Sequence, residues 1–243
     1  MSARRTRRVL VTGAGRGLGL EFTRRYLQRG DRVFATCREP SRARDLEALA
    51  AAHPQRLTVV ALDVADPDSI RRAHAAVRRR TEALDLLINN AGVYSRYGST
   101  DPIERLGTLR FDDALHVLRT NALAPLMVTQ QCLDLLEAGR RPRVVAISSE
   151  YGSVSENTDG FPYYYAASKA ALNMLMRSLA PEARRRGIVA AILDPGWVRT
   201  DMGGPQAPLT PARSVSGMMT VIDGLSARDS GRFYTWEGTA APW

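Results

Sequence analysis

Short apolar runs recur along this chain, separated by longer stretches with a helical pattern. The runs lack the polar alternation of a half-exposed sheet, which is typical of parallel strands buried on both faces. They lie at 7–12, 32–36, 57–62, 84–88, 144–147 and 188–193. With right-handed crossovers between successive strands, the pattern predicts an α/β fold: a doubly wound parallel sheet with helices on both faces.

Helices are predicted between these strands from turn and capping signals. The expected segments are 17–29, 41–52 with Ser41 as its N-cap, 66–80 opened by Asp66 and Pro67, 111–136 bent or broken by Pro125, and 163–186. No linker, repeat or low-complexity segment divides the chain, so we expect a single domain over 1–243. The segment 195–211 is rich in turn residues and long for a loop, which favours a substrate lid.

The net charge of +9 raises the question of nucleic-acid binding. The arginines, however, form short scattered clusters at 4–8, 78–80, 140–143 and 184–186, and no cluster alternates with aromatic residues. A solvated basic surface is therefore favoured over a nucleic-acid interface.

Other classes of protein are disfavoured by simple patterns. No apolar run approaches the ~18 residues of a membrane span, and the N-terminal apolar stretch is too short for a secretory signal. Two cysteines give no disulfide framework, and the three histidines have no metal-ligand spacing. We therefore expect a cytoplasmic protein with no membrane association and no metal site.

A glycine-rich segment follows the first predicted strand and opens the first predicted helix. It reads Thr12-Gly13-Ala14-Gly15-Arg16-Gly17-Leu18-Gly19. Glycines in this position allow a tight turn and let a pyrophosphate approach the N–H groups of the helix N-terminus. Glycines also serve ordinary turns, but this context favours a dinucleotide site in a Rossmann-like fold. Its expected contacts are Gly13, Gly15, Arg16, Gly17, Leu18 and Gly19.

The end of the second predicted strand bears on the choice of nicotinamide cofactor. An acidic side chain there binds the 2′-hydroxyl of NAD, whereas a basic one accommodates the 2′-phosphate of NADP. The chain has Arg38 and no carboxylate before Glu39, and Arg16 offers a second planar cation. NADP(H) is therefore favoured over NAD(H), although arginine is frequent throughout this sequence.

Lysine occurs once in this sequence, at position 169. Tyr165 precedes it by four residues, so the two side chains share one helix face. A nearby ammonium stabilises a phenolate and is expected to lower the tyrosine pKa. Ser149 follows the fifth predicted strand, where strand ends line the ligand crevice, and its hydroxyl is suited to bind a carbonyl oxygen.

Taken together, these motifs resemble the short-chain dehydrogenases/reductases over essentially the whole chain. The matching residues are Thr12 to Gly19, Asn89-Asn90-Ala91-Gly92, Asn121, Ser149, Tyr165-x-x-x-Lys169 and Pro195-Gly196. The segments 163–179 and 195–204, with the C-terminal tryptophans, look like the C-factor/sniffer carbonyl reductase branch. Asp194 stands where that branch often has histidine.

The resemblance implies a reaction and a role for each matching residue. The reaction is hydride transfer between a carbonyl and an alcohol, with Tyr165 as general acid or base, Lys169 tuning it, Ser149 orienting the carbonyl and Asn121 holding a relay water. The implied cofactor contacts also include Asp63, Val64, Asn90, Ala91, Gly92, Pro195, Gly196, Val198 and Thr200. Family members are commonly homodimers or homotetramers.

Two further functions are compatible with the same sequence. One is an epimerase, dehydratase or cyclase that keeps the fold and cofactor without net redox chemistry. The other is a dinucleotide-binding signalling protein of the C-factor type. The substrate is a small carbonyl or alcohol that the sequence does not name; Tyr94, Tyr97, Tyr151, Phe161, Trp197 and Met202 suggest an apolar or aromatic pocket, or else core packing.

Overall fold

A computed structural model of the chain describes residues 5–95, 104, 106–158, 160 and 162–243. Within these residues, one sheet of seven strands runs in the order β3-β2-β1-β4-β5-β6-β7. The strands are β1 (Arg8–Val11), β2 (Arg32–Cys37), β3 (Leu57–Ala61), β4 (Leu86–Asn89), β5 (Arg143–Ile147), β6 (Val189–Asp194) and β7 (Phe233–Thr235). All neighbouring pairs are parallel.

Helices cover both faces of this sheet. They are α1 (Gly17–Gln28), α2 (Arg44–Ala52), α3 (Pro67–Arg78), α4 (Phe111–Leu118), α5 (Ala124–Gln131), α6 (Leu133–Glu137), α7 (Tyr163–Arg185) and α8 (Pro211–Gly224). Helices α1, α2 and α8 pack on one face and α3, α5, α6 and α7 on the other, while α4 packs against α7. The predicted doubly wound α/β fold is confirmed.

The central strands contribute side chains to two hydrophobic clusters at once. In β1, Leu10 joins the cluster under α7, whereas Val9 and Val11 join the cluster under α1 and α8. Successive side chains of a strand point to opposite faces, so a strand covered on both sides must be apolar at every position. This explains why the predicted strands are uninterrupted apolar runs.

Two predicted helices differ from the structure. Ser41 is not a helix N-cap: Pro40–Arg42 forms a 3₁₀ turn, and α2 begins at Arg44 after Ala43 leaves the helical conformation. The expected helix over 111–136 is divided into α4, a π-helical turn (Arg119–Leu123), α5 and α6.

The π-helical turn has a local cause. Pro125 has no N–H to donate to the Asn121 carbonyl, and the N–H of Ala124 donates instead to the carbonyl of Arg119, five residues back. The turn therefore places Asn121 at an irregular point of the helix, where its buried side chain is turned towards α7.

The C-terminal part of the chain adds α8 and the edge strand β7, for which the sequence analysis predicts no elements. Thr210 caps α8 by accepting a hydrogen bond from the N–H of Arg213, and Pro211 occupies the first turn. A Thr-Pro pair of this kind is a recognisable helix start. No helix within the described ranges has both the length and the apolar character needed to cross a bilayer.

Candidate active site

A cleft of about 580 Å³ opens at the carboxyl ends of the strands, where a doubly wound sheet binds its ligands. It brings together residues from the ends of six strands, β1 to β6, and from α7. Of the predicted cofactor and catalytic residues, the cleft is lined by Gly13, Gly15, Arg16, Gly17, Leu18, Arg38, Asp63, Val64, Asn90, Ala91, Gly92, Tyr165, Lys169, Pro195 and Thr200.

The glycine-rich segment forms a cradle that larger residues would fill. Gly13 has φ +67°, and a Cβ on it would lie 2.8 Å from the Ala91 Cα. A Cβ on Gly19 would run into the Gly13 carbonyl oxygen. No side chain caps the N-terminus of α1, so its first N–H groups are left to a ligand. This geometry fits the pyrophosphate of a dinucleotide.

Thr12 and Asn90 lock the cradle to the end of β4. The Thr12 hydroxyl accepts from the backbone N–H groups of Asn90 and Ala91, both at 3.0 Å. The Asn90 amide donates to the carbonyls of Thr12 at 2.9 Å and Gly13 at 3.1 Å. Asn90 therefore shapes the cradle from behind, and Thr12, the first residue of the matching motif, supports it in the same way.

The end of the cleft beyond β2 carries several charged groups. Arg38 and Arg42 both line it, and Arg42 pairs with Glu39 at 3.0 Å on the exposed surface. On the other side of the opening, Arg16 pairs with Asp201 at 2.9 Å. Arg42 was not predicted as a site residue, because its place in the cleft beside Arg38 depends on the 3₁₀ turn that begins at Pro40. Two guanidinium groups at this point fit a phosphate ester.

A second unpredicted feature is the hydroxyl of Thr120, which lines the cleft beside His116. The Thr120 side chain is buried, and its Oγ1 has no hydrogen-bond partner among the described residues. Buried hydroxyls are normally paired, so this one is suited to bind a polar group of a ligand. With the cradle and the guanidinium groups, it makes the donor set of the cleft fit a nicotinamide dinucleotide.

Asn121 does not line the cleft but fixes the position of the segment after β4 that forms part of its wall. Its amide donates to the Val93 carbonyl at 2.7 Å, and its Oδ1 accepts from the Val93 N–H at 2.8 Å. The same amide donates to Ser168 Oγ at 3.0 Å, and Ser168 donates to the Tyr165 carbonyl at 2.7 Å. Asn121 thus ties the segment after β4 to α7.

Tyr165 and Lys169 are both buried on α7, 8% and 5% exposed. Lys169 Nζ lies 5.5 Å from the centre of the Tyr165 ring and donates to the Ile147 carbonyl at 2.9 Å. Gly92 lies next to the ammonium, and a Cβ there would lie 3.7 Å from Nζ and 3.2 Å from the Asn121 Oδ1. Burial lowers the pKa of Lys169 to about 8, and the charge of Asp194 opposes this shift.

The hydroxyls of Ser149 and its neighbour Ser148 have different partners. Ser148 donates to the Asn173 Oδ1 at 2.7 Å within the core. Ser149 accepts from the N–H of Tyr151 at 3.3 Å, and its side chain acts to lower the pKa of Tyr165. Ser148 nevertheless lines the cleft and Ser149 does not, so the choice of Ser149 stays a prediction.

The pKa of Tyr165 differs from the sequence-based expectation. Burial raises it, a hydrogen bond to Ser149 opposes the shift, and the charge of Asp194 adds to it. The expected lowering by Lys169 does not prevail, because removing a phenol from water disfavours its charged form. In this structure Tyr165 is therefore a protonated hydroxyl at neutral pH, suited to donate a proton.

Aromatic residues surround the Tyr165 ring. The ring centres of Tyr94 and Tyr151 lie 5.1 Å and 6.2 Å from that of Tyr165. Trp197 is 54% exposed, and Met202 lines the cleft. The predicted pocket residues Tyr97 and Phe161 lie outside the described residues.

Three predicted cofactor contacts do not line the cleft. Gly19 packs under the Gly13 carbonyl, Val198 is buried and forms an isolated parallel bridge with Leu209, and Gly196 lies against Leu209 and Trp236. These positions support the cleft from behind. Neither neighbouring tyrosine competes with Tyr165: Tyr164 accepts from the N–H of Arg110 at 2.6 Å, and Tyr163 is 44% exposed.

Comparison with known proteins identifies relatives over most of the chain. Residues 7–208 match the family model described as short chain dehydrogenase. The chain is 46% identical over 163 residues to C-signal of Myxococcus xanthus, covering 67% of this chain and 95% of that protein.

Solved structures extend the similarity to the whole fold. The NADPH-bound carbonyl reductase from chicken fatty liver has a TM-score of 0.90 and 40% identity, covering 99% of this chain and 100% of its own. The carbonyl reductase Sniffer of D. melanogaster has a TM-score of 0.90 and 32% identity, covering 98% and 100%. The resemblance seen in the sequence motifs is confirmed, and this chain belongs to the short-chain dehydrogenase family.

Proposed function

We propose that this protein is an NADP(H)-dependent oxidoreductase that interconverts a carbonyl and an alcohol, with Tyr165 as the general acid. One observation carries the proposal. Tyr165 and Lys169 line the same cleft as the glycine cradle, with Lys169 Nζ 5.5 Å from the centre of the Tyr165 ring, and the side chain of Ser149 acts to lower the pKa of Tyr165.

Each of these residues has a separate role in carbonyl reduction. Bound NADPH supplies the hydride that reduces the carbonyl carbon. Ser149 donates a hydrogen bond to the carbonyl oxygen, where negative charge develops. Tyr165 transfers its hydroxyl proton to that oxygen, so that the product is an alcohol and the tyrosine is left as a phenolate. Lys169 stabilises this phenolate, and Asn121 keeps Gly92 and α7 at the spacing that admits the ammonium.

Three observations support NADP(H) over NAD(H). Arg38 and Arg42 line the cleft after β2, where an NAD enzyme presents a carboxylate. Cys37, the last residue of β2, carries no charge that would repel a phosphate. The chicken carbonyl reductase, which matches nearly the whole chain, is described as NADPH-bound.

The segment 195–211 is proposed as a substrate lid. Pro195, Thr200 and Met202 from this segment line the cleft. The segment is held by its own bonds, from the Trp197 indole to the Gly203 carbonyl at 2.7 Å and from the Arg199 guanidinium to the Ala207 carbonyl at 3.2 Å. A loop ordered in this way can move as a unit over a bound substrate.

The test uses purified protein, NADPH and a panel of ketones and aldehydes. We expect a loss of nicotinamide absorbance that depends on the carbonyl compound. Tyr165→Phe should reduce turnover by a factor of about 10² or more and change the Kd for NADPH by less than about threefold, since it removes the proton donor alone. Equal turnover by this variant contradicts the assignment. Product formed with no net change in nicotinamide would favour an epimerase, dehydratase or cyclase instead.

The similarity to C-signal favours a second candidate function, a dinucleotide-binding signalling protein. Its distinguishing result is capture of a protein partner by both the wild type and Tyr165→Phe, with no turnover on any carbonyl compound. Retention of Tyr165 and Lys169 in one cleft, with Ser149 next to it in the chain after β5, favours the enzyme, because a sensor has no need of a proton donor.

A further inference from the structure

Asp194, the last residue of β6, is a buried carboxylate that touches two loops of the cleft. It is 8% exposed. Its Oδ1 accepts from the backbone N–H of Glu150 at 3.2 Å and from that of Gly196 at 3.1 Å. One oxygen atom therefore joins the loop after β5 to the turn after β6.

These two loops flank the reacting groups. Glu150 directly follows Ser149, whose side chain acts to lower the pKa of Tyr165. Gly196 follows Pro195, which lines the cleft, and adopts φ +72°. Strands β5 and β6 are paired as far as Ile147 and Leu193, and the Ser148 N–H donates to the Leu193 carbonyl at 2.7 Å. The Asp194 acceptor extends this connection beyond the strand ends, into the loop after Ser149 and the turn at Gly196.

Asp194 also supplies charge to a lysine that lacks a salt bridge. Among the described residues, no carboxylate lies within salt-bridge distance of Lys169, whose ammonium bonds the Ile147 carbonyl. Burial disfavours the ammonium, and the negative charge of Asp194 raises the pKa of Lys169 against it. Reciprocally, the charge of Lys169 lowers the pKa of Asp194.

The other groups that face Asp194 come from each neighbouring element. Glu150, on the loop after β5, raises the pKa of Asp194, and Tyr165, on α7, has its own pKa raised by Asp194. Across the sheet, β7 places the neutral Thr235 in register. Burial brings the pKa of Asp194 to about 6, so the carboxylate is mostly charged at pH 7 and above.

We propose that Asp194 is a positioning residue of the active site: its carboxylate braces the Ser149 loop against the Pro195–Gly196 turn. From this position its negative charge also favours the ammonium form of Lys169. The catalytic consequence rests on the proposed function, whereas the effect on Lys169 does not. A charged Lys169 and a protonated Tyr165 are the states that proton donation to a carbonyl oxygen requires.

The single lysine of this chain makes the charge effect directly measurable. Protein labelled with lysine carrying ¹³C at Cε gives one side-chain signal, whose chemical shift follows protonation of Nζ. We expect the wild-type midpoint near the pKa of about 8. In Asp194→Asn the midpoint should fall by about half a unit or more, because the amide keeps the Oδ1 acceptor but loses the charge. An unchanged or higher midpoint overturns the charge role.

Glu150→Gln is the matched control. It makes the same carboxylate-to-amide change one residue from Ser149, on an exposed side chain that does not act on Lys169. Its Lys169 midpoint should stay within about 0.2 units of the wild type. A fall equal to that in Asp194→Asn would mean that any nearby charge suffices, and would overturn the assignment to Asp194.

The bracing role is tested by comparing Asp194→Asn with Asp194→Ala, which loses the acceptor as well. In carbonyl reduction, Asp194→Asn should move the alkaline fall of kcat/KM to lower pH, in step with Lys169, at nearly unchanged KM. Asp194→Ala should in addition raise the carbonyl KM by about fivefold or more. Equal KM values for the two variants overturn the bracing role. If the wild type turns over no carbonyl, the proposed function fails, and the Lys169 titration still decides the charge role.

Discussion

Replacing Asn121 by alanine removes the amide that ties the segment after β4 to α7. The Val93 N–H and C=O then lose bonds of 2.8 Å and 2.7 Å, and Ser168 loses a donor at 3.0 Å. A polar group left unpaired on burial costs about 1–3 kcal/mol. Val93 is half-buried, so the lower half of that range applies to each of its two groups. We therefore expect Asn121→Ala to lower the free energy of unfolding by about 2–4 kcal/mol.

Urea unfolding followed by circular dichroism measures this loss, and a thermal scan should show a fall in Tm of about 5–15 °C. Thr120→Val is the matched control: it lies in the same π-helical turn and is equally buried, but its hydroxyl has no partner among the described residues. That variant should unfold within about 0.5 kcal/mol of the wild type or be more stable. Equal destabilisation by the two variants, or an Asn121→Ala loss below 0.5 kcal/mol, would refute the reasoning.

Three further outcomes are expected. Thr120→Val should weaken NADPH binding about three- to tenfold by fluorescence titration, since Thr120 lines the cleft and its hydroxyl has no partner among the described residues; unchanged affinity would contradict this. Arg38→Ala and Arg42→Ala should each raise the KM for NADPH about tenfold while leaving that for NADH nearly unchanged, because only NADPH carries the 2′-phosphate; parallel losses would argue against these contacts. The pKa of Asp194 is about 6 in the folded protein, against the ordinary 3.8, so the folded protein binds this proton more tightly than the unfolded chain does. The protonated carboxyl therefore stabilises the fold at low pH, and this contribution is lost as the pH rises from about 4 through 6. Asp194→Asn lacks this loss, and its unfolding free energy relative to the wild type should rise by up to about 3 kcal/mol between pH 4 and pH 8; a pH-independent difference would contradict the burial argument.

Much of the fold is predictable because the strands are covered on both faces. Uninterrupted apolar runs identify β1 to β6, and the glycine-rich segment identifies the start of α1. The short edge strand β7 carries little pattern, since Phe233 is its one buried residue. The π-helical turn was also missed, because Pro125 predicts a break without saying which carbonyl loses its partner.

The candidate site was predictable where spacing alone defines a residue, as for Lys169 four positions after Tyr165. Properties set by tertiary burial were not. The pKa of Tyr165 rises because the fold removes its ring from water, and Asp194 acquires its role by accepting from two loops that are distant in sequence. The single domain, the cytoplasmic location and a homodimer or homotetramer stay predictions.

The burial of Lys169 in the middle of α7 makes this helix a natural reporter of local opening. An endoproteinase that cuts only after lysine has one peptide bond to attack in the sequence, between Lys169 and Ala170. Both residues lie inside a helix of 23 residues, so cleavage requires that helix to unfold around the cleft. The rate at which the two fragments appear therefore measures how often α7 unfolds locally around the cleft. A ligand that contacts both the glycine cradle and α7 should slow this cleavage in proportion to the occupancy of its site.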